Sequence, residues 1–391
     1  MNSALPARSV AVVLGTRPEL VKLAPVIHRL GDATRLIHTG QHWDDAMSGR
    51  FLQELGLPRP EVLSSIGGTS RAVQIGRSLE QLDALFTGDR PAAVVVQGDT
   101  NATLAGALAA NARAIPLVHV EAGLRSHDVA MPEEHNRVLV DAISDVLCAA
   151  TPENRANLLA EGIGADRISV TGNTVVEAVR RHLPGAGRRT ALLARHGLVR
   201  DRYVLATVHR PENTDGPATL RTVLSELAAL ATDEVPVLLP LHPRTRARVE
   251  AERLGDLLAG VRVLEPLGYG DFLALARHAA LLVSDSGGIQ EECTVLGRPL
   301  VVVRRSTERP ESMADFADLV APGPELGRLA RLRLAEGDRG LRRLAALPSP
   351  YGDGLAAERI ARLVASAAEP TGPAESAGPA GSAGSSPALA A

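Results

Sequence analysis

Aromatic side chains are scarce in this sequence: Phe, Tyr and Trp together make up 2% of its 391 residues. The cores must therefore be aliphatic, drawn from the Leu, Val and Ala within a hydrophobic content of 45%. Cysteine is scarcer still, with Cys148 and Cys293 far apart and each in an apolar or helix-like context. That excludes a disulfide framework and a cysteine-based zinc site, and reads as two buried free thiols of a reducing compartment. Neither sign of charge prevails: the formal net charge is −3, and no basic stripe interleaves with aromatics. A nucleic-acid partner is excluded on that ground. No apolar run approaches the ~20 residues of a membrane span. The opening segment carries one arginine before a short Val-rich run that ends at Gly15-Thr16-Arg17. This is the pattern of a first strand and not of a signal peptide. A soluble, cytoplasmic protein without a membrane partner is expected.

What the sequence does contain is a series of short apolar runs, each stopping at a polar turn. Val10 to Leu14 is too short for a helix and is closed by Gly15, so it reads as a fully buried parallel strand. Leu20, Leu23, Ile27 and Leu30 then recur at helical spacing, and Pro25 is expected to kink or interrupt that helix. Further strands are predicted at residues 35–39, 91–96, 115–120 and 146–149, with an alanine-rich helix at 101–111. A second alternating half has strands at 203–207, 235–239, 261–264, 280–283 and 299–303. Strand–helix alternation with a polar turn at every strand end predicts doubly wound α/β folding. The length suits two domains. Pro184-Gly185-Ala186-Gly187 and a cluster of arginines lie within the boundary region, dividing the chain into residues 1–172 and 173–354. Residues 368–391 are Ala, Gly, Pro, Ser and little else, and are expected to be disordered.

The stretch His119 to Arg137 packs four carboxylates, three histidines and two arginines into nineteen residues. Glu121 ends an apolar run, where a parallel strand delivers its side chain to the carboxyl edge of the sheet. A carboxylate there is costly unless it is used or paired. Glu133 and Glu134 follow Met131-Pro132, a common helix opening in which either acid could be simply solvated. Asp99 also ends an apolar run, and can serve there as a helix N-cap or as a base. Arg17 and Lys22 follow the first strand, a place that suits a phosphate as well as it suits a solvated pair. In the second half, clusters around His209, His242, Asp285 and Arg309 each follow a strand, so all converge on one sheet edge. Ser286-Gly287-Gly288 opens a helix, and glycines there let the backbone approach an anion, although such triplets also occur in plain turns. Glu292, about one turn into that helix, is placed to accept from a sugar's vicinal hydroxyls.

In this order, these clusters resemble the non-hydrolysing UDP-N-acetylglucosamine 2-epimerase family. The resemblance rests on Gly15-Thr16-Arg17-Pro18-Glu19, Gln97-Gly98-Asp99-Thr100, His119-Val120-Glu121-Ala122-Gly123-Leu124-Arg125 and Pro132-Glu133-Glu134. To these it adds His209-Arg210, Asp285 through Glu292, and Glu308-Arg309-Pro310-Glu311, and it spans roughly residues 10–365. It implies an α/β fold of two Rossmann-like domains facing across a cleft in a GT-B-like architecture, with a C-terminal helix at about 355–367 packing back on the first domain. It also implies a homodimer, a UDP-sugar substrate, and no cofactor or metal.

Carried over by position, Asp99, Glu121 and Glu133 become the acid/base carboxylates, with His209 beside the leaving diphosphate. Arg17, Lys22 and Arg137 contact the nucleotide sugar. Ser286, Gly287, Gly288 and Arg309 hold the diphosphate, Glu292 takes the ribose hydroxyls and Phe272 sits at the uracil. The implied chemistry is inversion at C2 of a UDP-N-acetylhexosamine by elimination and re-addition of UDP, which needs one carboxylate as base and another as acid. The alternatives are a glycosyltransferase of the same fold and a UDP-sugar binding protein without turnover. The chain departs from the commonest bacterial pattern at Gln41-His42-Trp43-Asp44, at Thr69, at His242-Pro243-Arg244 and at Leu267. The first three are positions that serve a second, activating nucleotide sugar in the family, so the resemblance does not carry that regulation over. Met131-Pro132-Glu133-Glu134 and His242-Pro243-Arg244-Thr245-Arg246 look closer to relatives that act on modified UDP sugars.

Overall fold

In a computed structural model, residues 9–41 and 45–369 are described. His42, Trp43 and Asp44, and the low-complexity tail from residue 370 onward, lie outside the described residues. Two parallel sheets form the frame. The first contains β1 (Val10–Leu14), β2 (Thr34–His38), β3 (Glu61–Val62), β4 (Ala93–Gln97), β5 (Leu117–Ala122), β6 (Val146–Ala149) and β7 (Ile168–Val170). The second contains β8 (Val204–Thr207), β9 (Val237–Pro240), β10 (Arg262–Leu264), β11 (Leu281–Ser284), β12 (Leu300–Val303) and β13 (Ala317–Val320). Their orders are β3-β2-β1-β4-β5-β6-β7 and β10-β9-β8-β11-β12-β13, with every pairing parallel. Each order reverses once, between β1 and β4 and between β8 and β11. A crevice opens at such a reversal, and it is where α/β sheets take their ligands.

Composition explains the layers. The central strands, VAVVL in β1 and LVVV in β12, are buried along their whole length because helices cover both faces. With so few aromatics, Leu, Val, Ile and Ala fill both cores. Cys148 and Cys293 are both free and buried, and burial pushes the Cys148 thiol up to about 12. The helix Ala356–Ala368 inserts Ala357, Ile360 and Val364 among Val10, Leu14, Leu23 and Val95 of the first sheet's core. The helix Val175–His182 packs against both Arg17–Leu30 and Gly287–Leu296, so one short helix touches the two halves.

Two sequence expectations need correction. Pro25 does not interrupt its helix, which runs unbroken over Arg17–Leu30. The helix is buried from Glu19 to Ile27, and that packing outweighs the one backbone hydrogen bond that proline removes. The sequence also gave no sign of β3, β7 and β13. These are outermost strands of two to four residues, and a short half-solvated edge carries no continuous apolar run.

Candidate active site

Near the carboxyl end of β5 the backbone departs from its register. Val120 pairs with Cys148 and Ala122 with Ala149, so Glu121 is the extra residue of a bulge. Its φ is 65°, a region that non-glycine residues rarely occupy and that strained sites often do. The bulge re-aims the carboxylate into a dry cluster. It accepts hydrogen bonds from the Lys22 ammonium, from the Gln97 amide, and from Asn173 Nδ2 at 2.6 Å. Burial alone would raise its pKa, but the charges of Lys22 and Arg309 overturn that and hold it at about 2. Glu121 is thus paired, as its cost required.

Asp99 follows β4 and is not a cap. Thr100 is the N-cap of the helix Asn101–Ala112, accepting from Thr103 N at 3.1 Å. The Asp99 carboxylate instead takes Arg137 Nε at 2.9 Å and Nη2 at 2.6 Å, with its side chain one-quarter exposed. Arg137 also pairs with Glu134, whose carboxylate gathers the backbone N–H groups of Ser126 at 3.0 Å and His127 at 2.9 Å. Glu133 sits on the same first turn, half-buried, and its side chain makes no hydrogen bond or ion pair among the described residues. The structure therefore joins Asp99, Arg137 and Glu134 in one network and Glu121 with Lys22 in another, with Glu133 bonded to neither. His119 stays structural, its ring fixed between Asp141 Oδ1 at 2.6 Å and Gly98 O at 2.8 Å.

Glu19 closes the floor. Its carboxylate accepts from Gly15 N at 3.0 Å, Thr16 Oγ1 at 2.8 Å and Thr100 Oγ1 at 2.9 Å, tying the turn after β1 to the turn after β4. Burial pushes its pKa up to about 7, against the pull of those donors. Arg17, two residues earlier, is exposed at the helix start.

Across the crevice, Asp285 after β11 receives His209 N and Arg210 N, each at 2.9 Å, and Asn213 Nδ2 at 3.0 Å. Its Oδ1 lies 3.0 Å from His209 Nδ1, which orients the half-exposed imidazole. Burial alone would raise the Asp285 pKa, but the His209 contact lowers it on balance. The His242 ring stands 5.4 Å from that of His209. Ser286 begins the helix Gly287–Leu296 without a side-chain cap, a kind of helix N-terminus that suits an anion.

The two glycines differ in role. A Cβ on Gly287 would lie 2.7 Å from Arg309 Nη1, so glycine is required for the guanidinium to pack there. A Cβ on Gly288 would meet only Ser286 Oγ at 3.9 Å, so that side is open. Arg309 itself is engaged, by Glu291 Oε1 at 2.6 Å and by Glu308. Glu292 is buried, accepts from Tyr269 Oη at 3.1 Å, and is pushed up to about 7 by burial. Phe272 lies on the helix Tyr269–Ala276, partly buried against the second core. A cavity of about 190 Å³ opens between the halves, lined by Ser126, Asn154, Asn157, Thr307 and Glu308 among others.

Glu19, Glu291, Glu134, Gln97, Glu308 and Asn173 are the groups to which sequence reasoning gave no role. The first five stand inside strand-end clusters already singled out, and that adjacency was the available signal. Asn173 had none.

Fold and site together define a two-domain, GT-B-like α/β protein with a carboxylate-rich crevice facing an open, glycine-led helix N-terminus. A family profile described as UDP-N-acetylglucosamine 2-epimerase matches residues 27–365. The UDP-N-acetylglucosamine 2-epimerase of Methanocaldococcus jannaschii is 37% identical over 363 residues, covering 90% of this chain and 98% of the relative. The UDP-2,3-diacetamido-2,3-dideoxy-D-glucuronate 2-epimerase of Pseudomonas aeruginosa is 37% identical over 367 residues, covering 91% and 99%. The crystal structure of the Methanocaldococcus jannaschii enzyme in complex with UDP-GlcNAc and UDP superposes with a TM-score of 0.82 at 37% identity, over 91% of this chain and 99% of that one. The chain belongs to the UDP-N-acetylglucosamine 2-epimerase family.

Proposed function

We propose that the protein is an isomerase that inverts C2 of a UDP-N-acetylhexosamine, converting UDP-N-acetylglucosamine or a modified relative to its manno epimer. The observation that carries this is the carboxylate set. Asp99 and Glu121 come from the ends of β4 and β5 and Glu133 from the first turn of the helix Pro132–Ile143 that follows β5, opposite the uncapped helix at Ser286. The C2 proton of an N-acetylhexosamine is not acidic, since no carbonyl lies alpha to it. As the C1–O bond breaks, positive charge grows at C1 and the C2 proton becomes removable. A carboxylate takes the proton, the C2–H electron pair becomes the C1=C2 bond, and UDP leaves with the C1–O pair. UDP then adds back to C1 of the 2-acetamidoglucal while a second acid delivers a proton to the other face of C2. No electron is gained or lost overall.

The helix N-terminus at Gly287 and Gly288, with Arg309 and His209, is assigned to the leaving diphosphate. Glu292 is assigned to the ribose hydroxyls, Phe272 to the uracil, and Arg17, Lys22 and Arg137 to the nucleotide sugar. Asp99 carries its counter-ion Arg137 and Glu121 carries Lys22, so each acid is held ready and oriented before substrate arrives. A homodimer belongs to the same proposal, on resemblance alone. The family match gives no support to the glycosyltransferase or binding-module readings.

Incubation with UDP-N-acetylglucosamine in heavy water is the test. Deuterium at C2, with the manno epimer formed, is the expected result. Binding without exchange, or turnover that requires an acceptor, would overturn the proposal.

A further inference from the structure

Four charged groups from the two halves meet in a space almost without water. Lys22 belongs to the helix after β1, and Glu121 to the bulge in β5. Glu291 belongs to the helix after β11, and Arg309 to the loop after β12. Their side chains are 6%, 3%, 0% and 9% exposed in that order, so charge contacts between them are little screened. Glu291 is the one member that touches a cation from each half. Its Oε1 lies 2.6 Å from Arg309 Nε, and its Oε2 lies 2.7 Å from Lys22 Nζ. The second contact is off the hydrogen-bond axis, leaving Oε2 without an aligned donor. Asn173 Nδ2 spans the two acids, at 2.6 Å from Glu121 Oε1 and 3.3 Å from Glu291 Oε1.

We propose that Glu291 is a positioning residue that ties Lys22 of the first half to Arg309 of the second and thereby sets the spacing of the acid/base and diphosphate groups. The assignment rests on the epimerase reading only for what the two groups do once spaced. The physical reason is charge count. Lys22 and Arg309 face Glu121 and Glu291 here, with Glu308 also on Arg309, and Glu291 is the carboxylate of the second half that reaches Lys22. Without it, Lys22 retains Glu121 alone and nothing anionic joins it to the second half. Arg309 loses one of its two acids and keeps Glu308, so more of its charge is free for a diphosphate.

Glu291→Gln keeps shape and removes the carboxylate, whose pKa burial pushes up against the pull of Arg309 and Lys22. The expected result is a fall in C2 deuterium exchange of at least tenfold while UDP affinity, read by calorimetry, is unchanged or tighter. Small-angle scattering of the ligand-free variant should show a more extended particle than the wild type. Glu291→Asp keeps the charge on a shorter arm and should recover part of the exchange. Should the amide variant not fold, the aspartate variant carries the test alone. It then loses at least threefold in exchange, with UDP affinity held, because one carboxylate no longer reaches both cations. Unchanged exchange and scattering, or exchange and UDP affinity lost in parallel with no recovery by aspartate, would overturn the assignment. If the wild type itself exchanges no deuterium, the epimerase reading fails instead, and the scattering comparison still decides Glu291.

Discussion

Glu121 shows what a single residue needs in order to keep a charge away from water. Three donors and two nearby cations surround it, and the backbone bends into a left-handed conformation to present it. Asp99→Asn, Glu121→Gln and Glu133→Gln should each depress C2 exchange by ~10²–10⁴, the usual worth of one proton-transfer group. UDP affinity should be spared, because the diphosphate groups lie on the other sheet. Near wild-type exchange in all three variants would remove the catalytic assignment. Glu19 makes a different prediction, about pH. Its pKa is raised from 4.5 to about 7 in the folded chain, so above pH ~5 the unfolded chain binds fewer protons at this group than the folded one does. Stability contributed here is therefore present in acid and lost as pH rises from about 5 through about 7. Thermal unfolding of Glu19→Gln across that window should show a flatter pH dependence than the wild type, and parallel curves would contradict it. Glu121 and Asp99 were legible because each ends an apolar run. Glu291 was not, since a helical glutamate beside another says nothing about which of them faces a cation from another part of the chain.

At the scale of elements, the central strands were legible and the edges were not. VAVVL and LVVV can be little else than strands covered on both faces, whereas Glu61–Val62 is a strand only because β2 lies alongside it. Pro25 misled for the same reason in reverse, because a local rule gave way to burial. The helix at Gly287 offers a test that separates two neighbouring glycines. Gly288→Val fills the open side and should weaken UDP binding by roughly tenfold or more in a folded protein, by blocking close approach to the helix N-terminus. Gly287→Ala places its methyl against Arg309, and should lower the melting temperature as well as UDP affinity. Calorimetry and melting curves on the pair decide this, and equal behaviour of the two variants would contradict the division of roles.

For the whole molecule, the informative feature is the helix Ala356–Ala368, which completes the first sheet's core although the second sheet precedes it in sequence. Ile360 and Val364 are fully buried there. Ile360→Ala should cost ~2–5 kcal/mol, as for other large-to-small core changes, and should destabilise the first half. Hydrogen exchange in β1 and β4 reports this, and a loss confined to the second sheet would contradict it. The arrangement also bears on how the chain is made. Strands β1 to β7 leave the ribosome early, but the apolar groove they form stays open until residues near Ile360 emerge. The second sheet has all its strands before then, so the half synthesised later can finish first. In the interval the nascent first half exposes Val10, Leu23 and their neighbours to any passing apolar surface. The segment around Ile360 thus seals a core that β1 began, and chaperone demand should peak just before that helix emerges.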